Sequence, residues 1–418
     1  MTDAQRFLAE HAAVTRRFFL GAGAAWAAAG LAVPARAADL PAELAPALEK
    51  LEAYFTPPAE FRDVSRGKPI PHTLPEAKRR EVGLTRDTWK LEVVADPEHP
   101  AALGRQFTKA DGTAIDFAAL LKLGERHAVR FAKVMTCLNI GCPLGTGIWE
   151  GVPLREIVWL TKPRENLRRV FYHGYHNDDP KQLFRSSLPV GRILEDPDDL
   201  PPVILCYRLN GEWLSPERGG PVRVVVPEHY GFKSVKWLTH VVLSNLAQAN
   251  DTYAGGNNDI DSPLKTFAAT LTVPGTVRAE QPIAVTGYAQ VGVSGLSKVQ
   301  VWVSPAGKAL PADDPYFAIA PWSDAHVLAP PAAWGGNLPG GAVLKDTLGF
   351  DPATGRPRSW PMRLAKAHWA ALLPGLPAGE YTLRCRTVDA KGHAQPMPRP
   401  FKKSGRCDIE AVKLTVTG

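Results

Sequence analysis

The sequence predicts an α+β fold in two parts: a mixed α and β region over residues 38–260, then an all-β sandwich over 261–418. Three observations carry that prediction. Before residue 260, apolar residues at helical spacing are interleaved with short β-branched runs; after it, alternating runs recur between Gly/Pro turns. The 418 residues also contain 39 prolines and 36 glycines, too many breakers for a body of long helices. A chain of this length supports two domains, each with its own core. Its 45% hydrophobic, 22% charged and 8% aromatic content excludes collagenous, coiled-coil and low-complexity classes.

The elements follow in chain order. Thr15-Arg16-Arg17-Phe18-Phe19-Leu20 leads into an alanine-rich apolar stretch ending at Val33, then Ala35-Arg36-Ala37. A twin-arginine pair, a short h-region and an A-x-A site read as a bacterial Tat export signal over 1–37, cleaved near Ala37, so the expected location is the periplasm. About fifteen apolar residues lie between charges, short of the roughly twenty in a spanning helix, so no stable membrane anchor is expected. Because Tat carries folded proteins, commonly with a complex cofactor already inserted, a cofactor site is expected in the mature chain.

Leu44, Leu48, Leu51 and Phe55 predict an amphipathic helix ended by Pro57-Pro58, and Val64 to Pro75 reads as an extended wrapping segment. Trp89–Val94 is a strand, while Ile115–Leu123 and Gly151–Leu160 are short helices, the second with Leu154, Ile157 and Val158 on one side. Val203–Tyr207, Val222–Val226 and Val241–Leu243 are strands. The polar stretch Asn250–Asp259 marks the boundary. Beyond it, Thr270–Val273, Ile283–Gly287, Val299–Val303, Tyr381–Val388 and Ile409–Val416 alternate as strands, with one helical insert near Leu364–Leu373. Strands so spaced predict an immunoglobulin-like sandwich.

Formal charge is +7, but Lys and Arg are interspersed with Asp and Glu, so a nucleic-acid partner is not expected; a solvated basic surface that attracts small anions or acidic redox partners is. Five cysteines, Cys137, Cys142, Cys206, Cys385 and Cys407, are too few and too scattered for a disulfide framework. No Cys-x-x-Cys-His occurs, so no covalently attached c-type haem is expected.

Several motifs then stand in order. Met135-Thr136-Cys137-Leu138-Asn139-Ile140-Gly141-Cys142 is followed by Trp149-Glu150-Gly151-Val152-Pro153-Leu154 and Tyr207-Arg208-Leu209-Asn210-Gly211. Next come Pro221-Val222-Arg223-Val224-Val225-Val226-Pro227 and Val235-Lys236-Trp237-Leu238. In that order they resemble the sulfite oxidase family of molybdopterin enzymes, with its Cys/Asn segment, W-x-G-V-P-L, Y-x-x-N-G, P-x-R-x-V-V-P and V-K-W-L.

The resemblance implies a molybdenum–molybdopterin cofactor with Cys137 as the thiolate on the metal, a soft anionic ligand suited to it. It implies that Arg223 and Lys236, with Ser234, hold the pterin and its phosphate, and that Tyr207 donates to the substrate oxyanion. Departures from the family pattern place Arg218 where a histidine is usual and His176 nearest an expected aspartate; Arg62 or Arg66 stands in for a substrate-binding arginine. The implied reaction is oxygen-atom transfer, most simply sulfite to sulfate, with electrons leaving singly to a separate c-type cytochrome. A homodimer through residues 261–418 is also implied.

The alternatives are an S-oxide or N-oxide reductase or a sulfane-sulfur dehydrogenase of the same family, and a non-catalytic β-sandwich binding protein. A Cys137–Cys142 disulfide would preclude metal ligation. The export reading makes one test direct: Arg16→Lys with Arg17→Lys leaves cofactor-loaded, active protein in the cytoplasm, and a normal periplasmic yield on fractionation would overturn it.

Overall fold

The computed structural model describes residues 40–307, 314 and 316–418; the export signal expected at 1–37 lies outside the described residues. The first ten strands are β1 Lys90–Ala95, β2 Ile115–Asp116, β3 Val129–Thr136, β4 Pro143–Pro153 and β5 Arg169–Gly174, then β6 Arg185–Pro189, β7 Ile204–Leu209, β8 Glu212–Trp213, β9 Arg223–Val225 and β10 Leu238–Ser244. They form two sheets. One has the order β2-β1-β10-β5-β6; in the other, β3-β4-β7-β8 run side by side and β9 also pairs with β7. Strands β3 and β4 are a long antiparallel hairpin, in register from Val129↔Gly151 to Met135↔Gly145 and shifted by one residue at Thr136↔Pro143. Its turn, 137–142, therefore carries both Cys137 and Cys142 at the end of the sheet.

The core between the sheets takes Leu91 and Val93 from β1, Val170 and Tyr172 from β5 and Val241 and Leu243 from β10, against Val152, Leu205 and Val224 of the second sheet. Helix α3, Phe117–His127, closes one side; α1 is Ala45–Leu48 and α2 is Glu76–Glu81. The Asp116 side chain caps α3 by accepting from Ala119 N at 2.8 Å, and Arg126 and His127 occupy its negative end. Helix α4, Leu154–Leu160, begins three residues later than expected because Gly151–Pro153 belong to β4, and it buries Leu154, Ile157 and Val158. Helix α5, Val190–Leu194, follows β6.

The helix expected over 44–55 is only α1. Leu51 and Phe55 keep helical spacing, but the chain extends after Leu51 and Phe55 N donates to Trp334 O at 2.8 Å. A tertiary backbone contact overrides a short amphipathic pattern.

The remaining strands are β11 Phe267–Thr272, β12 Thr276–Arg278, β13 Ile283–Gln290, β14 Lys298–Pro305, β15 Ser323–Val327, β16 Thr347–Leu348, β17 Lys366–Leu373, β18 Gly379–Val388 and β19 Glu410–Thr417. All but β16 follow one path, β11-β13-β17-β15-β14-β18-β19-β12. Strand β15 changes partner along its length, pairing with β14 at Ser323–Ala325 and with β17 at His326–Val327. The path thus folds over into two layers around Val285, Ala289, Trp369 and Ala371 on one side and Val299, Val301, Leu383 and Leu414 on the other. The chain has the α+β class expected, a mixed α/β part and a β-rich part.

The helical insert expected near 364–373 is strand β17. Ala367, Trp369, Ala371 and Leu373 face the core, but Lys366, His368 and Ala370 are buried too. A strand covered on both faces loses its polar alternation, and its alanines then imitate a helix.

The β-rich part also reaches back. Strand β16 pairs in parallel with β3 at Thr347↔Arg130, and Trp334, Leu338, Phe350 and Met362 share a core with Tyr54, Phe55, Ala132 and Ile148. Val134 N donates to Leu364 O at 2.7 Å, and Thr136 Oγ1 to Gln290 Oε1 at 2.5 Å. Both halves therefore hold the strand that ends at Cys137.

Gly174 closes β5 against the backbone after Ser234: a Cβ there would lie 2.0 Å from Lys236 O and 2.7 Å from Trp237 O. Gly174→Ala is expected to cost about 1–3 kcal/mol or more of stability, since backbone cannot yield as a side chain can. A thermal midpoint equal to wild type by calorimetry would contradict that packing.

Candidate functional site

A cleft of about 280 Å³ opens where the β3–β4 turn, the end of β5, the wrapping segment 61–67 and the loop 231–237 converge. Cys137, Arg62, Arg66, His176, Arg218, Arg223, Ser234 and Lys236 all line it. Tyr207 does not. It is 4% exposed within the core between the sheets, 6.5 Å from the Phe117 ring and 6.0 Å from that of Trp213, with its hydroxyl against Gly124. Neighbours on a strand face opposite ways: Cys206 packs toward Phe61, Met135 and Trp149 on the cleft side, and Tyr207 toward α3. The substrate role expected of Tyr207 is thus corrected to that of a core aromatic.

The cations in the cleft are held mostly by carbonyls. Arg223, on β9, donates to Arg218 O at 2.9 Å and to Ser234 O at 2.5 Å, and its guanidinium lies 5.3 Å from the Trp149 ring centre. Burial pulls it down to about 10, still charged at neutral pH. Ser234 uses its hydroxyl to accept from Val226 N at 3.1 Å, which fixes the loop rather than the ligand. Lys236 donates to Glu217 O at 2.6 Å, Ser65 Oγ at 2.7 Å and Asp63 Oδ1 at 2.8 Å. Burial and then the charge of Arg223 bring Lys236 down to about 8, against the pull of Asp63. Asp63 in turn is held at about 2: burial would raise it, but Lys236 and Ser65 more than offset that.

Arg218 donates to Arg62 O at 3.3 Å, and Arg62 Nη1 to Cys142 Sγ at 2.8 Å, so the wrapping segment is tied to both Arg218 and the cysteine turn. Arg66 stacks over Phe184, 4.7 Å from its centre. His176 sits at the edge of a histidine group, its ring 6.0 Å from that of His173. All five cysteines are free thiols.

The buried Nε atoms of both Arg218 and Arg223 have no hydrogen-bond partner. Unmatched buried donors are costly, and two of them on cations beside a depressed lysine call for a polyanionic ligand. Residues 80–252 match the family described as oxidoreductase molybdopterin binding domain. Sulfite oxidase of Gallus gallus is 27% identical over 373 residues, covering 84% of this chain and 70% of that one. The mitochondrial sulfite oxidase of Drosophila melanogaster is 28% identical over 216 residues, half of this chain and 34% of that one. The chain is a molybdopterin oxidoreductase similar to the sulfite oxidases. The sulfane dehydrogenase SoxCD of Paracoccus pantotrophus shares the fold, with a TM-score of 0.54 over 79% of this chain and 77% of that one at 16% identity.

A member of this family is an enzyme, which sets aside the non-catalytic sandwich reading, and its cofactor is molybdenum–molybdopterin. The residues present suit that group: one accessible thiol, two unmatched guanidinium N–H groups and an ammonium in a partly apolar cleft.

Two features of the cleft leave no signal in the sequence. Asp63 and Ser65, which seat Lys236, lie in the wrapping segment, whose sequence pattern singles out only its arginines. Phe184, Phe232 and Tyr253 form an aromatic wall of the cleft. Tyr253 belongs to the polar stretch read as a boundary, which has no periodicity to reveal a role.

Two substitutions separate the core side of β7 from the cleft. Tyr207→Phe is expected to leave kcat/KM unchanged, whereas Arg223→Met is expected to release the pterin during purification, as measured by its fluorescence after extraction. A large loss of kcat/KM in Tyr207→Phe would return that phenol to the site.

Proposed function

We propose that this enzyme oxidises sulfite to sulfate in the periplasm and passes the two electrons singly to a c-type cytochrome. The observation that carries this reading is the meeting of the Cys137 thiol with Arg62, Arg66, Arg218, Arg223 and Lys236 in one cleft. A pterin phosphate and a small dianion each need convergent donors and positive charge, and those five side chains offer both between the two.

Within this reading Cys137 is the metal's protein ligand. Arg223, Arg218 and Lys236 hold the pterin and its phosphate, His176 borders it, and Ser234 shapes the loop beneath it. Arg62 and Arg66, the exposed pair on the wrapping segment, meet the incoming anion. When bound, the cofactor supplies the oxygen-atom transfer and the storage of two electrons. The chain contributes orientation: Arg218 and Cys142 set the backbone and guanidinium of Arg62, and the Phe184 ring fixes the plane of Arg66. Phe61, Leu138, Leu144 and Trp149 line the inner wall with apolar surface, lowering the local dielectric and strengthening those charge–anion contacts.

The twin-arginine pattern at Arg16-Arg17 in the sequence supports the location, and the absence of a haem-attachment motif in the sequence supports a separate cytochrome. Assembly as a homodimer through 261–418 rests on the strand pattern and the family resemblance.

Sulfite added to oxidised, cofactor-loaded enzyme should reduce the metal and bleach its visible absorption. Cys137→Ser should keep much of its pterin but lose turnover; full activity in that variant would sink the assignment. Should sulfite leave the spectrum unchanged while a sulfoxide reoxidises the reduced enzyme with turnover, the reductase reading replaces this one.

A further inference from the structure

We propose that the cleft serves a second substrate class, small organic sulfinates, whose anionic head meets Arg62 and Arg66 while a hydrocarbon tail lies against the apolar side of the mouth. This rests on the reading of the cleft as a sulfur-oxyanion site and widens the substrates that site accepts.

The apolar side begins on the wrapping segment itself. Arg62 and Arg66 are exposed, and Val64 between them is 40% exposed. Ile140, on the cysteine turn, is 45% exposed, and both aliphatic side chains line the cleft. Single exposed aliphatics are ordinary on a protein surface, but two that border one cleft beside two cations form a mixed apolar and cationic mouth.

Three half-buried rings extend that surface inward. Phe232 and Tyr253 stack with centres 5.0 Å apart and planes at 19°, and Phe184 meets Tyr253 edge-on at 6.2 Å. The Arg66 guanidinium lies 4.7 Å from the centre of Phe184, so cation and ring are presented as one unit. Cys137 and Arg66 both act electrostatically on Tyr253, so the rings stand between the thiol and the arginine.

The wall is preformed. Asp251 accepts from Lys233 Nζ at 2.6 Å, from Ser186 Oγ at 3.1 Å and from Ser187 Oγ, while Asn258 Nδ2 donates to Tyr253 O at 2.9 Å. A buried ion pair with its remaining sites filled fixes the loops on either side, here those bearing Phe232 and Tyr253. An apolar surface already in place spares a ligand the cost of ordering it, and such surfaces with a few convergent polar groups are the usual make-up of small-molecule sites.

Sulfite has no apolar face to set against this wall. A substrate that uses the whole mouth joins a small anion to a hydrocarbon and keeps a lone pair on sulfur. Sulfonates have lost that lone pair, and sulfoxides lack the charge. Sulfinates, RSO2−, meet all three requirements. Their oxidation balances as sulfite's does: RSO2− and water give RSO3−, two protons and two electrons. One sulfur–oxygen bond forms at the lone pair, both O–H bonds of water break, and the electrons leave singly to the same c-type cytochrome acceptor.

The test uses purified cofactor-loaded enzyme, wild type, Val64→Ser and Ile140→Ser, with two readouts. The first is calorimetric binding of the unreactive anions sulfate, methanesulfonate and benzenesulfonate. Benzenesulfonate should bind about tenfold or more tighter than methanesulfonate, and each substitution should weaken it about threefold or more relative to sulfate, with pterin content as in wild type. The second is anaerobic bleaching of the oxidised enzyme by sulfite, methanesulfinate and benzenesulfinate, with the sulfonate product measured by chromatography. Equal binding of the two sulfonates would overturn the proposal, as would loss of pterin from Ile140→Ser, which would give the apolar side to the cofactor. If sulfite bleaches the enzyme and benzenesulfinate does not, the sulfinate class falls and the sulfite reading stands. If benzenesulfinate bleaches it and sulfite does not, the sulfite reading falls and the sulfinate class stands; bleaching by neither overturns both.

Discussion

A guanidinium buried without a carboxylate governs this site. Arg223 is 4% exposed on a three-residue strand, satisfied by two carbonyls and left with an unmatched Nε. Its charge helps bring Lys236 below the usual lysine range, and Lys236 in turn fixes Asp63 and Ser65 of the wrapping segment. Desolvation of this kind opposes folding unless an anion answers it. The fold is thus arranged around a ligand of opposite charge, and binding that ligand adds to the stability of the whole protein by linkage.

That arrangement explains why so much of the site could be read from sequence. Arg223, Lys236 and Cys137 each sit within a backbone motif of fixed shape: a strand edge, a strand entry and a hairpin turn. A residue type at such a position has one direction to face. The β-branched runs around Val224 and Val241 announced strands for the same reason, since local pattern and tertiary burial agree there.

The pattern misled where tertiary contacts decided the outcome. Tyr207 faces the core rather than the cleft, and Y-x-x-N-G specifies a strand and its turn but not which sheet face is wet. Residues 364–373 looked helical because both faces of β17 are covered. Tyr253 could not be seen at all: its place depends on Lys233 and Asp251 meeting in the interior from distant loops, and nothing in ten polar residues records that meeting.

The excursion through β16 has a consequence for biosynthesis. The sheet bearing Cys137 gains its outer strand at Thr347–Leu348, and β3 receives a further backbone acceptor from Leu364. Neither segment has left the ribosome when the first ten strands have. The strand that leads to the cysteine turn is therefore buttressed last, so a nascent chain holds every residue that lines the cleft, all between 61 and 253, before the C-terminal half arrives to brace them.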